Sequence, residues 1–142
     1  MAPGLWALFS LAGDGFLGVN GRIGGFLGTC GRLPFAKDVE GLVGDAKGKG
    51  SLGGFLEKLS DGSKGMTNGE VDTAVLSTPV LLMHGSDDAW VDVELGRQAR
   101  RVLEETMGMS VQWLEFTGAE NDRHWIKEPE GFDKVLRFLE EG

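Results

Sequence analysis

The sequence holds a single cysteine, Cys30, in 142 residues. That excludes an internal disulfide framework and fits a reducing compartment. Positive charge is scarce: 14 Lys and Arg stand against 22 Asp and Glu, a net charge of −8. This balance argues against nucleic acid and anionic membrane as partners. No apolar run approaches the ~20 residues of a membrane span. Met1 to Leu11 is apolar but lacks the basic n-region of a signal peptide, so the expected localisation is cytoplasmic. What remains is an ordinary globular composition, 41% hydrophobic and 25% charged, long enough for one domain with a modest core.

Glycine is in excess, with 24 residues, 18 of them before Val71. Two windows, Gly13–Gly18 and Gly48–Gly53, match the spacing G-x-G-x-x-G. Neither has an apolar strand before it and a periodic helix after it, which a dinucleotide site requires. No cofactor is expected.

The chain is organised around Thr78-Pro79-Val80-Leu81-Leu82-Met83-His84-Gly85-Ser86-Asp87-Asp88-Ala89-Trp90-Val91. Pro79 sits at the first position, where a missing N–H harms a strand least. Val80 to Met83 is a continuous apolar run of strand length, as in a parallel strand buried on both faces. Asp87 and Asp88 therefore fall just past a strand's carboxyl end, where open α/β sheets place their chemistry. The competing reading is that two acids at a helix entry only cap it.

Before this stretch, Leu5 to Ala12 has a short helical pattern, and Arg22 to Thr29 reads as a strand weakened by its glycines. Ala36 to Ser77 is rich in Gly, Lys, Asp and Ser, and reads as a long surface insertion mobile at Gly44–Gly50 and Asp61–Gly69. A lid role and a plain excursion both remain open for it. After the stretch, Leu95, Ala99, Val102, Leu103 and Met107 share one face of a helix over Val93 to Met107, with Gly108 as its C-cap. Ser110 to Phe116 alternates as a strand. Glu128 to Glu140 closes the chain as a helix with an apolar stripe of Phe132, Val135, Leu136 and Leu139. The order is an α/β pattern with right-handed crossovers.

His84-Gly85-Ser86-Asp87-Asp88 resembles the acid-bearing strand and loop of α/β-hydrolases. The nearest likeness is the acyl-protein thioesterase and phospholipase/carboxylesterase family, whose pattern is roughly His-Gly-x-x-Asp-x-x-Val. Asp88 and Val91 match it, with Ala89 where Pro is common. Cys30-Gly31-Arg32-Leu33-Pro34 resembles the family's Ser-Gly-Trp-Leu-Pro segment, with Cys30 for Ser and Arg32 for Trp. The resemblance runs from Leu5 over nearly the whole chain. It implies the C-terminal part of an α/β-hydrolase fold, a mostly parallel sheet of about three strands flanked by helices, in one partial domain over 1–142.

In that fold the general base occupies a loop after the last strand, and the chain order is Ser, Asp, His. His124 lies on such a loop, so the resemblance implies Asp88 as the triad acid and His124 as the base. Asp87 is the other candidate acid, and His84 is read as a packed residue that shapes the loop. No metal is expected, because His84, Asp87, Asp88 and His124 lack an obvious ligand spacing. The nucleophile elbow Gly-x-Ser-x-Gly is absent, since no serine has Gly at both −2 and +2. Leu5-Trp6-Ala7-Leu8 resembles the helix that follows the elbow, which implies a serine upstream of Met1. Cys30 does not replace it, having no charged neighbour in sequence to lower its pKa.

The implied activity is hydrolysis of carboxylic esters or acyl thioesters, including S-acylated proteins, by a family whose nucleophile these residues lack. The alternative is a non-catalytic remnant serving as a binding or interaction module. Without the elbow strand, Ile23–Gly28 becomes a sheet edge, and self-association through it is expected.

Overall fold

The computed structural model describes residues 23–34, 36, 37, 39, 41 and 75–141, together with Gly4. The helix expected at Leu5 to Ala12, both glycine windows and the segments expected to be mobile lie outside the described residues. Three parallel strands form one sheet in the order β1-β2-β3: β1 (Phe26–Thr29), β2 (Val80–Gly85) and β3 (Val111–Phe116). Leu82 of β2 pairs with Gly28 on one side and Trp113 on the other. The crossover from β2 to β3 runs through α1 (Val93–Arg101), which continues as a π-helical turn over Val102–Thr106. The helix α2 (Glu130–Glu141) follows β3.

Strand β2 is buried along its whole length. Its side chains alternate between two cores, which explains the uninterrupted apolar run. Val80 and Leu82 face a cluster holding Ala99, Val102, Leu103, Met107 and Met109, with Leu33, Ala36, Val39 and Val75. Leu81 and Met83 face the opposite cluster with Phe138, flanked by Leu114, Phe116, Ile126 and Val135. Each fully buried aliphatic side chain contributes roughly 1.5–3 kcal/mol. The two-sided strand is therefore the most strongly held element of the sheet.

The helix over Val93 to Met107 begins at an Asp92 N-cap, whose Oδ1 accepts from the Glu94 amide at 2.9 Å. It ends at Gly108, which adopts φ +70° as an αL cap requires. The expected face is buried apart from half-buried Leu95, and the last turn widens to i→i−5 bonding, with Met107 N donating to Val102 O at 3.0 Å.

Two expectations need correction. The stripe on the last helix is turned by one position. Phe138, not part of that stripe, is the buried residue, whereas Phe132, Leu136 and Leu139 are exposed. The helix meets β2 through Phe138 and Val135, and Gly131 sits where a Cβ would lie 2.4 Å from Ile126 Cγ2. That close approach fixes the rotation of α2. The expected insertion is also not surface at its ends: Ala36, Val39 and Val75 belong to the core. β1 pairs with β2 alone among the described strands.

Candidate active site

All three parallel strands deliver their carboxyl ends to one rim. Cys30 follows β1, Asp88 follows β2, and His124 lies on the loop after β3. The structure brings these three together and keeps Asp87 and His84 in supporting positions.

The turn after β2 is built by Asp88 itself. Its Oδ1 accepts from the amides of Trp90 at 2.8 Å and Val91 at 3.0 Å. Its Oδ2 accepts from His124 Nδ1 at 2.7 Å. The Asp88 side chain is fully buried while His124 is partly open to solvent, at 0% and 39% exposure. Because a carboxylate only accepts, Nδ1 carries a proton, and in the neutral ring Nε2 keeps the lone pair. Burial, the largest influence, pushes the Asp88 pKa up; the bonds from Val91, Trp90 and His124 together outweigh it and hold the carboxyl below its ordinary value. The acid is therefore ionised at neutral pH.

Asp87 is not an equivalent alternative. It points the other way and accepts from the Gly118 amide at 3.1 and 3.2 Å, and it pairs with Arg123 at 3.1 Å. The acid loop is sewn to the histidine loop a second time, where Ala89 N donates to Asp122 O at 3.1 Å. These ties hold three consecutive residues in left-handed conformations, Asn121, Asp122 and Arg123, at φ 51°, 55° and 64°. Cys30, on the facing loop, also has a positive φ of 45°. Such residues persist only where their surroundings fix them, and they cluster at functional sites. Asp87→Ala is expected to lower stability by about 1 kcal/mol. The urea midpoint of the 142-residue chain, at unchanged m-value, reads this loss.

His84 is fully buried. Its Nε2 donates to Val91 O at 2.9 Å and lies 3.5 Å from Asp88 Oδ2. It anchors the far end of the acid turn, which is the loop-shaping position expected for it. Its Nδ1 faces Gly96 of α1, where an added Cβ would lie 2.4 Å away.

The sequence reading did not foresee Cys30 at this site. Its Sγ, Asp88 and His124 offer ligand atoms that all lie within 4.8 Å of one another. Burial, then the Asp88 charge, raise the thiol pKa against the opposing pull of the Gly85 backbone. Cys30 is thus a protonated thiol rather than an activated nucleophile. The signal in the sequence was topological: parallel neighbours end on the same rim.

The described residues have the fold of half an α/β-hydrolase, a three-stranded parallel sheet with α1 and α2 packed on it. It is similar to the crystal structure of Zea mays acyl-protein thioesterase 2, with a TM-score of 0.62 and 21% sequence identity. The match covers 99% of this chain and 51% of the maize chain, so this chain spans about half the length of that protein. No protein-family model matches the sequence. A search of curated proteins also gives no match. No helix among the described residues is long and apolar enough to cross a membrane.

Proposed function

We propose that Asp88 and His124 are the acid and base of an acyl-transfer hydrolase that cleaves carboxylic esters or acyl thioesters, S-acylated proteins among them. The observation that carries this reading is the 2.7 Å bond from His124 Nδ1 to a buried carboxylate on the carboxyl rim of a parallel sheet. Nε2 of His124 takes the proton of a serine hydroxyl as that oxygen attacks the acyl carbon. Asp88 stabilises the resulting imidazolium, and Nε2 then gives the proton to the leaving thiol or alcohol. Water, activated by the same nitrogen, hydrolyses the acyl-serine. None of the seven serines here lies in a Gly-x-Ser-x-Gly elbow, so in this reading the serine comes from a segment outside these residues. The second reading, a binding module on the same sheet, is favoured by that missing elbow alone.

The test supplies the missing half. The part of the maize thioesterase that this chain does not cover is joined to it, and p-nitrophenyl esters and acyl thioesters are offered. Turnover by the chimera is expected, while the 142-residue chain alone should give none above background. A folded chimera with an intact serine and no turnover would favour the binding module.

A further inference from the structure

We propose that Cys30, Asp88 and His124 form a binding site for a divalent transition metal of the zinc class. The three donors come from three different loops of one rim, and their ligand atoms lie within 4.8 Å of one another. Ligand atoms on a tetrahedral zinc sit about 3.3–3.7 Å apart, given bonds of about 2.0–2.3 Å. Cys30 Sγ therefore needs to close on the other two donors by little more than about 1 Å, while Asp88 Oδ2 and His124 Nδ1, 2.7 Å apart in their hydrogen bond, open by under about 1 Å. A thiolate, an imidazole and a carboxylate form a mixed S, N, O set that suits zinc or cobalt and is poor for calcium or magnesium. Water completes the fourth position.

The surroundings favour a cation. Cys30 is the chain's single cysteine and has no disulfide partner. Its thiol donates to the Trp125 carbonyl at 3.9 Å and lies against the Asp88 carboxylate. A thiolate beside the Asp88 carboxylate is disfavoured, and a dication between them removes that repulsion. His84 is not a ligand, because its Nε2 is committed to Val91 O and its Nδ1 faces Gly96 of α1. Entry is through His124, the solvent-open member of the set.

Binding has a definite proton balance. The thiol proton leaves to solvent. The metal takes Nδ1 of His124, the nitrogen that faces Asp88, and the proton there moves to Nε2. The base then has no lone pair, so an occupied site is an inhibited one. This consequence alone rests on the hydrolase reading.

The experiment titrates the 142-residue chain with Co2+ and follows the near-ultraviolet thiolate-to-cobalt charge-transfer band. With a single cysteine in the chain, that band assigns Cys30 without any variant. The expected result is a band saturating at one ion per chain, displaced by Zn2+ and absent in Cys30→Ser. His124→Ala, at a partly exposed position, should weaken binding at least about tenfold. No band on titration, or a band whose affinity His124→Ala leaves unchanged, would overturn the proposal. Inhibition of the chimera by Zn2+ is read separately. A chimera without turnover leaves the cobalt result intact, and a missing cobalt band leaves any turnover intact.

Discussion

In the chimera, His124→Ala is expected to lower kcat on the order of 10⁶-fold, and Asp88→Asn on the order of 10⁴-fold, by analogy with serine proteases. The first figure corresponds to about 8 kcal/mol of barrier. It is that large because serine and base act as one unit, so losing either removes the attack. The second follows from the bonding around Asp88. Trp90 and Val91 both donate to Oδ1. An asparagine must therefore place its oxygen there and its NH2 at the Oδ2 position, facing His124 Nδ1. The amide then donates where the carboxylate accepted. The ring is forced into the Nε2–H tautomer, which has no lone pair for the serine proton. Steady-state kcat measures the rate, and the ring nitrogen shifts of His124 report the tautomer. Asp88→Asn with near-normal kcat would show that the acid is a cap alone.

The second large effect is expected at Gly85. Gly85→Ala should destabilise the chain by about 2–3 kcal/mol and, in the chimera, lower kcat on the order of 10²-fold. A Cβ at this position would lie 2.6 Å from the backbone oxygen of Arg123. That oxygen belongs to the residue just before His124, and Arg123 is already held in a left-handed conformation. The added methyl has to push the histidine loop away from the acid loop, since no flexible side chain can yield. Denaturant unfolding reads the first effect and kcat the second. A fully active, undestabilised variant would mean that the two loops are not in contact.

The His-Gly of the motif illustrates what was legible and why. Glycine is required there for space between two loops, a fact that sequence spacing cannot express. A resemblance to relatives can carry it without stating the cause. Strand β2 was readable from its uninterrupted apolar run because it faces a core on each side. Asp88 and His124 were readable as a pair through chain order and strand ends. The face of α2 was not. Its apolar residues at 132, 135, 136, 138 and 139 cover more than half the helix, so periodicity alone does not choose a side. The choice is made by Gly131 against Ile126 and by Phe138 against Leu81 and Met83. Cys30 was set aside because no charge neighbours it in sequence, whereas its charged neighbour is Asp88 across the sheet.

The two loops of the site hang from elements of unequal strength. Asp88 is attached to β2, which is hydrogen-bonded along both edges and packed on both faces. His124 is attached to a loop whose residues 120–123 are exposed, secured by Ala89 N, Asp87 and the bond to Asp88. Opening that loop breaks a handful of bonds; displacing the acid requires the sheet to come apart. Fluctuations far smaller than global unfolding therefore release the histidine while the carboxylate keeps its place. The bond between His124 and Asp88 can break and re-form many times within the lifetime of one folded molecule, always closing onto the same fixed carboxylate.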